Sequence, residues 1–424
     1  MKKIIVVGAG GRGTVYSEAA KKMDGEFQVV AVAEPIDIRR NWIKQLFDIP
    51  EEMCHTSWED LLSRPKFADV VVIATMDRDH LAPALAAIEK GYDLLLEKPM
   101  SATPEECLQI ERAAKKAGVT VLVCHVLRYT PFFNALKNLI DSGKIGKIIH
   151  IQHAECVGNI HYAHSFIRGN WGNSQKSSCM ILQKSCHDMD ILCYLTGKKC
   201  KRVSSFGELT YFKEENAPQG APLRCTDGCP HADTCYYNAK WVYLEHGRGK
   251  FMTRALLKKK DIGTDEEIIE ALKTSPYGRC VFRCDNDVVD HQTVNLEFED
   301  GITVSFTMAA FNYGGRYIRI MGTDGELSAS MSDDFITFFD FATRTYTQIP
   351  IADAIVGASM NSGHGGGDTG IMRALADKLN GREADICDLR ETYISHLIAF
   401  AAEESRLTGK VIDMEEFEER IEKS

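Results

Sequence analysis

A glutamate and a lysine stand together directly after an apolar stretch that has the pattern of a buried strand. Leu94 to Leu96 are followed at once by Glu97, Lys98 and Pro99. A lysine at the end of a buried strand could exchange a proton with a hydroxyl group of a bound molecule, and the carboxylate beside it could orient it. Pro99 restricts the backbone and favours an extended conformation at Lys98. We therefore predict that Lys98 is catalytic and that Glu97 orients it or contacts a cofactor.

The N-terminal stretch "VVGAGGRGT" has the spacing of a nucleotide-binding loop. Its glycines follow G-x-G-x-x-G, after a strand pattern and at the start of a helix pattern. Such a turn lets a pyrophosphate approach the backbone at the N-terminus of the helix. A second strand pattern ends at Glu34, whose carboxylate would bind the ribose hydroxyls of NAD and repel the 2′-phosphate of NADP. Arg39 and Arg40 lie close enough in sequence to weaken that preference. The predicted NAD-binding residues of this region are Gly8, Gly10, Gly11, Arg12, Gly13 and Glu34.

Strand and helix patterns alternate through the first 125 residues, which predicts an α/β Rossmann domain with a parallel sheet. The expected strands are Lys3–Val7, Phe27–Ala33, Asp69–Ala74, Asp93–Leu96 and Val119–Cys124. Ligands of such sheets bind beyond the carboxyl ends of the strands. Lys98 follows one strand end, and Thr75, Asp77 and His80 follow another, so we expect them at the cofactor. For Asp77 or Asp79 a helix N-cap is a credible alternative.

The pattern changes after residue 125 and predicts a second domain, residues 126–424, of the α+β class. Alternating apolar and polar residues surround Asp300–Gly301, which is a strong hairpin signal, and the pattern recurs around Asp324–Gly325. The expected sheet is large, open and mostly antiparallel. Residues 213–285 fit neither pattern and are rich in Pro, Gly and Cys, so we interpret them as an insertion.

The insertion carries cysteines at spacings that allow two interpretations. Cys225, Cys229, Cys235 and Cys284, with His231 and Cys280 nearby, could hold a structural zinc that orders a segment with little apolar core. The spacing differs from the usual C-x2-C pairs. Free thiols are therefore the alternative.

Composition excludes some partners. The 424 residues carry 50 Lys and Arg against 60 Asp and Glu, a net charge of −10, which argues against nucleic acid or an anionic membrane as the main partner. No apolar stretch approaches the ~18 residues of a spanning helix. Fourteen cysteines without a recognisable secretory signal suggest a reducing compartment, so we expect a cytoplasmic protein that binds a small molecule.

Two stretches resemble the glucose–fructose oxidoreductase / inositol dehydrogenase / MocA family. They are "ATMDRDHLAPALAAIEKGYDLLLEKPMS" and "VLVCHVLRYTPFFNALKNLIDSGKIGKI". The resemblance covers the first 200 residues well. It implies a Rossmann domain, a C-terminal domain with an open sheet and a catalytic lysine at Lys98. It also implies that His125 contacts the cofactor and that Arg128 and Tyr129 lie at the substrate.

The same resemblance implies a second part of the site in "MILQKSCHDMDILCYLTG". Family members usually carry Asp-x-Gly-x-His-x-x-Asp there, and His187 and Asp190 match the histidine and the later aspartate. Gln183 replaces the first aspartate, which puts the usual carboxylate–histidine pairing in doubt. Helical spacing places Lys184 on the face of His187, so Lys184 is a further catalytic or substrate-binding residue.

Two further segments are candidates for the substrate side. His364 and Asp368 lie on the glycine-rich stretch "NSGHGGGDTGIM", which is either a loop that closes over a sugar or a linker. The stretch "GNIHYAHSFIRGNW" suits a lid that faces a carbohydrate. Its candidate residues are His161, Tyr162, His164, Arg168 and Trp171.

These residues together predict an NAD-dependent oxidoreductase that acts on a CH–OH group of a sugar, inositol or related polyol, with Lys98 and His187 as the acid–base pair. The first alternative is an NAD-dependent glycosidase that oxidises a sugar hydroxyl transiently. The second is a regulator that senses NAD without catalysis. An uncovered sheet face also predicts a homo-oligomer, a dimer or tetramer.

Overall fold

A computed structural model of the chain describes residues 1–247, 251–259, 261, 263–351 and 363–424. The N-terminal part is a parallel six-stranded sheet in the order β3-β2-β1-β4-β5-β6. This order, with β1 in the middle and β4 beside it, confirms the predicted Rossmann fold. The strands are β1 Lys2–Val7, β2 Phe27–Ala33, β3 Cys54–His55, β4 Val70–Ile73, β5 Asp93–Leu96 and β6 Val121–Val123.

Helices cover both faces of this sheet, which explains why its strands are apolar at consecutive positions. Local sequence sets their ends: Thr103 caps the fifth helix by accepting a hydrogen bond from the Glu106 N–H, and Gly118 ends it in the left-handed conformation. The helices are α1 Gly11–Lys22, α2 Asp37–Phe47, α3 Trp58–Leu62, α4 Leu81–Glu89 and α5 Pro104–Ala117.

The C-terminal part is built on a nine-stranded sheet in the order β14-β13-β12-β11-β7-β10-β9-β8-β15. Strands β7 and β10 pair in parallel and the other pairs are antiparallel, as predicted for a mostly antiparallel sheet. The strands are β7 Ile148–Cys156, β8 Cys200–Glu208, β9 His291–Phe298, β10 Thr303–Ala309, β11 Gly315–Gly322, β12 Gly325–Ser330, β13 Phe335–Asp340, β14 Thr345–Pro350 and β15 Ile412–Asp413.

The predicted hairpins are present. The turn at Asp300–Gly301 joins β9 to β10, and Gly325 begins β12 after β11. The remaining helices are α6 Pro131–Asp141, α7 Asn159–Tyr162, α8 Met180–Thr196, α9 Phe251–Leu257, α10 Asp265–Thr274, α11 Gly367–Leu379, α12 Leu389–Thr408 and α13 Met414–Lys423. Beyond α7 the chain continues as a π-helix from Ala163 to Arg168.

Two helices from the second half of the chain pack against the first half. The buried side chains of Ile371, Met372 and Leu375 in α11 join the core on one face of the Rossmann sheet. Helix α12 contacts α8, α5 and β8. Residues near the two ends of the sequence therefore meet at the carboxyl edge of the parallel sheet, where ligands of this fold bind.

Candidate active site

The loop between β1 and α1 has the shape that a bound pyrophosphate requires. A Cβ atom at Gly13 would lie 1.9 Å from the carbonyl oxygen of Gly8, so only glycine fits this close approach. A Cβ at Gly11 would meet no described heavy atom within 4 Å, and one at Gly10 would meet only Arg39 Nη1, at 3.7 Å. Because α1 has no side-chain cap, its first N–H groups are available to an anion. These residues fit the phosphates of NAD.

Glu34 lies beside this loop, directly after β2. Its Oε2 accepts a hydrogen bond from the Ala9 N–H at 2.7 Å, and its Oε1 accepts one from the Ile36 N–H at 3.0 Å. The side chain is buried, and Arg40 donates to the Glu34 carbonyl oxygen at 2.6 Å. The carboxylate is thereby held next to the glycine loop, where the adenosine ribose of a dinucleotide binds in this fold.

Glu97 joins the Rossmann sheet to the first turn of α1. Its Oε1 accepts hydrogen bonds from Arg12 Nε at 2.7 Å and from the Tyr16 hydroxyl at 2.6 Å, while Oε2 accepts one from the Lys98 N–H at 2.9 Å. Burial by itself would raise the pKa of the Glu97 carboxyl, but Arg12 and Lys98 more than offset this effect and the pKa is lowered. Glu97 is therefore an ionised anchor for Arg12.

Lys98 reaches from the end of β5 to helix α8. Its Nζ donates to the backbone carbonyl oxygen of Gln183 at 2.7 Å. His187 lies one turn further along α8, and burial, followed by the charge of Lys98, lowers the pKa of its imidazole. Gln183 Oε1 and His187 Nδ1 are both buried and have no hydrogen-bond partner among the described residues. The structure thus brings a lysine and a neutral histidine together beside two unsatisfied polar atoms that a polar ligand could satisfy.

Two more histidines extend this cluster into the protein. The His125 ring centroid lies 5.7 Å from that of His187 and 5.1 Å from that of His396. Burial lowers the pKa of each of these two residues to about 3, so both are neutral at neutral pH. His396 was not predicted from the sequence. Its Nε2 accepts a hydrogen bond from the Met100 N–H at 3.0 Å, two residues after Lys98.

Lys184 belongs to a buried ionic network that the sequence did not predict. Its Nζ lies 3.2 Å from Glu155 Oε1, and burial is the main cause of its lowered pKa. Arg316 bonds Asp188 through Nε at 2.8 Å, and His153 Nε2 lies 2.8 Å from the same carboxylate. No local sequence signal predicted this network, because Glu155 on β7 and Arg316 on β11 become partners only through the pairing of adjacent strands.

Other predicted substrate and cofactor residues bond mainly within the protein. Arg128 and Asp190 form a two-pronged ion pair, at 2.7 and 2.8 Å, and the Tyr129 hydroxyl is buried without a described partner. His80 Nδ1 lies 2.8 Å from the Pro99 carbonyl oxygen, and Nε2 lies 3.3 Å from the Thr75 carbonyl oxygen. These residues brace the wall of the site behind Lys98.

Asp77 links the two halves of the chain. It is not the predicted helix cap, because it accepts hydrogen bonds from the hydroxyl groups of Ser177 and Ser178 at 3.1 Å each. Thr75 Oγ1 donates to the Asp79 carbonyl oxygen.

His364 and Asp368 approach the site from α11. The His364 ring centroid lies 6.4 Å from that of His187, and Asp368 Oδ1 accepts a hydrogen bond from Arg12 Nη2 at 2.6 Å. A Cβ at Gly367 would lie 2.2 Å from the Val126 carbonyl oxygen. The glycines of this segment therefore allow α11 to approach the turn after β6 and carry His364 to the site.

Most side chains of the predicted carbohydrate lid bond within the protein. Tyr162 donates to the backbone of Val288 and Val289, and Arg168 donates to the carbonyl oxygens of Arg279 and Tyr237. His164 stacks on Tyr277 with a centroid distance of 4.7 Å, and Trp171 packs against the core. These side chains fasten the insertion instead. Only His161 has site residues, Lys184 and His364, among the charges acting on it.

The zinc prediction is not supported. Within the described residues, no three His, Cys, Asp or Glu side chains form a group that could hold a metal ion. A cavity of about 20 Å³ is lined by Cys225, Cys229, Cys235 and Cys280. Arg168 also lines it, with Nη2 3.6 Å from Cys225 Sγ. Cys284 donates to the Cys280 carbonyl oxygen and does not line this cavity with the other cysteines.

Comparison with known families agrees with this geometry. Residues 2–125 match the model of the oxidoreductase family with an NAD-binding Rossmann fold, and residues 137–414 match the C-terminal alpha/beta domain of the same family. The chain therefore belongs to the Gfo/Idh/MocA oxidoreductase family, which confirms the resemblance read from its motifs. It is an NAD-binding enzyme of the oxidoreductase class.

Relatives with assigned names share limited identity. A Bacillus subtilis protein provisionally named oxidoreductase YteT is 25% identical over 329 residues, 74% of each chain. Inositol 2-dehydrogenase 2 of Saccharopolyspora erythraea is 30% identical over 132 residues, 31% of this chain and 36% of the relative. The 2,7-anhydro-N-acetylneuraminate hydratase of Escherichia coli is 27% identical over 148 residues, 35% and 39% of the two chains. The chain thus spans little more than a third of the last two.

Solved structures share the fold. A levoglucosan dehydrogenase in complex with NADH and levoglucosan superposes with a TM-score of 0.69 at 18% identity, covering 97% of this chain and 99% of that one. An Agrobacterium radiobacter oxidoreductase bound to NAD+ gives 0.68 at 15% identity, covering 98% and 99%. Across the described part of this chain, no helix has the length and hydrophobicity needed to cross a membrane.

Proposed function

We propose that this protein is an NAD-dependent oxidoreductase that transfers a hydride between the cofactor and a CH–OH carbon of a neutral sugar, inositol or related polyol. The observation that carries the proposal is the group formed by Lys98, Gln183 and His187. Lys98 Nζ bonds the Gln183 carbonyl oxygen at 2.7 Å, and the pKa of His187 is lowered by burial. A cationic donor beside a neutral imidazole is suited to moving a hydroxyl proton.

The residues of the glycine loop, Arg12 and Glu34 would hold the cofactor. NAD, when bound, supplies the hydride acceptor or donor. In the oxidation direction the proton of the reacting hydroxyl passes to Lys98 as Lys98 gives one of its own protons to His187, and the reduction reverses both transfers. Gln183 cannot ionise, so its unpartnered Oε1 acts only as a hydrogen-bond acceptor for the substrate. We expect Lys184 Nζ, which is tied to Glu155, to donate to a second substrate oxygen.

The charge balance of the site supports an uncharged substrate. Four cationic side chains and four carboxylates lie in this part of the described structure, so their formal charges balance, which favours a substrate without net charge. Arg12 pairs with Glu97 and Asp368, Lys184 with Glu155, and Arg316 with Asp188, while Lys98 Nζ bonds the neutral carbonyl oxygen of Gln183. Among the relatives, the inositol 2-dehydrogenases are named for an uncharged substrate, whereas the 2,7-anhydro-N-acetylneuraminate hydratase is named for a carboxylate.

The test is a screen of neutral cyclic polyols, aldoses and glycosides with NAD, following NADH absorbance and product sugars together. We expect stoichiometric NADH from at least one neutral polyol and no turnover of its phosphorylated or carboxylated analogue. Turnover restricted to anionic analogues would contradict the proposal. The absence of NAD binding in calorimetry would also contradict it.

A second candidate is a redox-neutral reaction in which a sugar hydroxyl is oxidised transiently, a leaving group is eliminated and the carbonyl is reduced again. Two observations favour it: a relative is named a hydratase, and His364 supplies a second histidine 6.4 Å from His187. Product release from a glycoside without net NADH would identify this reaction. The non-catalytic regulator is not retained, because the chain belongs to an oxidoreductase family.

We further propose a cytoplasmic homo-oligomer. One face of the large sheet is solvent-exposed in this chain, with Ile149, Phe206 and Tyr317 among its exposed residues. Exposed apolar side chains on an uncovered sheet face favour self-association. Light scattering of the purified protein should give the mass of a dimer or tetramer, and a monomer mass of 47.3 kDa would exclude this.

A further inference from the structure

His364 and Asp368 form a pair outside the motifs that carry Lys98 and His187. His364 Nδ1 lies 3.1 Å from both carboxylate oxygens of Asp368, one helical turn further on. The His364 side chain is 43% exposed, whereas the side chain of Asp368 is only 5% exposed. The pair therefore consists of a buried carboxylate and a histidine that solvent or a ligand can reach.

Asp368 is in turn fixed by the cofactor loop. Arg12 donates to it twice, through Nη2 at 2.6 Å and Nη1 at 3.2 Å, and Arg12 itself is held by Glu97 and Tyr16. Burial would raise the pKa of the Asp368 carboxyl, but His364 and Arg12 more than offset this and the pKa is lowered. Asp368 is therefore a permanent anion whose position depends on the loop that binds NAD.

His364 Nδ1 has two competing neighbours. It can carry a proton and donate it to Asp368, or it can carry a lone pair and accept from Arg12 Nη1, which lies 3.3 Å away. A neutral imidazole can do only one of these. The anionic acceptor is closer and presents two oxygens, so the proton belongs on Nδ1. The lone pair then lies on Nε2, for which no partner is recorded among the described residues.

We propose that His364 is a second proton-transfer residue of the substrate site and that Asp368, anchored by Arg12, is the positioning residue that keeps its Nε2 unprotonated. The inference rests on the proposed function, since it places a second proton acceptor beside the same substrate. In the redox-neutral reaction, after the hydroxyl has become a carbonyl, His364 Nε2 accepts the proton of the C–H bond next to that carbonyl. The electron pair of this bond expels the leaving group, whose oxygen then takes the proton from His364. The charged or titratable groups that face His364 are Asp368 on α11, Arg12 on α1, His187 on α8 and His161 on α7.

The first test is nuclear magnetic resonance of the full chain without cofactor, labelled with ¹⁵N-histidine, at a pH where the ring is neutral. The His364 signals are assigned by their loss in His364→Gly. We expect the Nδ1–H tautomer in the unmodified protein and the Nε2–H tautomer in Asp368→Ala. Asp377→Ala, a control on the same helix, should leave the spectrum of His364 unchanged. An Nε2–H tautomer in the unmodified protein would overturn the positioning role of Asp368 whatever the enzyme's substrate is.

The second test uses the substrate found in the screen. His364 has a left-handed backbone with φ of 50°, so His364→Gly places no strain on the backbone. We expect the kcat of His364→Gly to fall at least 100-fold and its affinity for NAD to change less than twofold. Added imidazole should then raise the kcat of this variant at least tenfold. A variant with full activity, or one that imidazole does not rescue, would overturn the proton-transfer role. If the screen finds no substrate, the proposed function fails, and the tautomer measurement still decides the role of Asp368.

Discussion

The two halves of the active site are built in different ways. The cofactor half is a short loop, Gly8 to Gly13, with Glu34 beside it, and it offers backbone N–H groups and the start of a helix. The substrate half takes single side chains from distant elements: Lys98 after β5, His187 and Lys184 on α8, Glu155 on β7, Arg316 on β11 and His364 before α11. The first half depends on local backbone geometry, and the second depends on how the two sheets meet helices α8 and α11.

This difference has an energetic consequence. A glycine loop that binds phosphates needs few buried charges, whereas the substrate half buries several ion pairs. Buried charges stabilise a protein only while each has its partner, and removal of one partner leaves an uncompensated charge. We therefore expect single substitutions in the substrate half to affect stability and catalysis strongly, and those in the cofactor half to affect cofactor choice.

The largest effect should follow loss of Lys98. In Lys98→Met the proton donor is removed while the side chain keeps a similar length. General acid–base catalysis contributes typically 10²–10⁴-fold, so we expect kcat to fall about 10³-fold. The fall in kcat is measured with the substrate found in the screen. The dissociation constant for NAD shows whether the variant still binds the cofactor. Lys116→Met, on the exposed end of α5, is the matched control. A fall of less than tenfold would remove Lys98 from the mechanism.

Loss of Asp188 should weaken the fold itself. Asp188→Asn removes the carboxylate that pairs with Arg316 and His153, and these groups are all buried. Breaking a buried ion pair from one side costs about 3–5 kcal/mol. Chemical denaturation followed by circular dichroism should show this loss. Asp300→Asn removes an exposed partner of Lys198 and should change stability little. Equal stability of the two variants would mean that the ion pairs of Asp188 contribute little to the free energy of unfolding.

Acid should destabilise the protein through its buried neutral histidines. Burial lowers the pKa of His125, His164 and His396 to about 3, against 6.5 for an unperturbed imidazole. Below about pH 6.5 the unfolded chain binds protons that the folded chain does not, so stability is retained above this pH and falls toward pH 3. Each histidine contributes about 1.4 kcal/mol per pH unit in this window.

The variant His164→Gln tests this contribution by its slope. Between pH 6 and 5, the free energy of unfolding of this variant should decrease less than that of the unmodified protein. The two slopes should differ by about 1.4 kcal/mol per pH unit. His150→Gln replaces a histidine of β7 that is partly exposed and should keep the full slope. Identical slopes for all three proteins would show that His164 is not held neutral by the fold.

The smallest effect is expected in the cofactor half. The Glu34 carboxylate should oppose a 2′-phosphate, since two like charges about 4 Å apart repel by about 4 kcal/mol at an effective dielectric of 20, and solvent reduces this further. A preference for NAD above tenfold needs only about 1.4 kcal/mol. Glu34→Ser should reduce the preference for NAD over NADP, mainly by improving the affinity for NADP, because Arg39 and Arg40 remain nearby to pair with the 2′-phosphate.

Calorimetric dissociation constants for both cofactors measure this preference. Glu89→Ser, at the end of α4 and thus at the opposite edge of the sheet, is the control. Equal affinities for NAD and NADP in the unmodified protein would mean that Glu34 does not face the ribose.

Prediction from the sequence succeeded where the local structure follows from contiguous residues. The glycine spacing predicted the β1–α1 turn, and alternation around Asp300–Gly301 predicted the β9–β10 hairpin. It failed at the cysteine-rich insertion, since spacing alone could not tell that Arg168 lines the cavity among the thiols and that Cys284 bonds the backbone. It also failed at the predicted lid, because an aromatic and basic stretch is equally suited to contacting a sugar and to fastening an insertion.

By itself, then, the sequence determined the Rossmann domain, the antiparallel second sheet, the family and the residues Lys98 and His187 as candidates, because these follow from local periodicity and short motifs. Only the tertiary structure decided which charges meet. Glu155 and Arg316, 161 positions apart in the numbering, become neighbours through strand pairing, and Arg12 meets Asp368 because α11 returns to the first domain. Partner choice among buried charges depends on packing across the whole chain, and no local pattern encodes it.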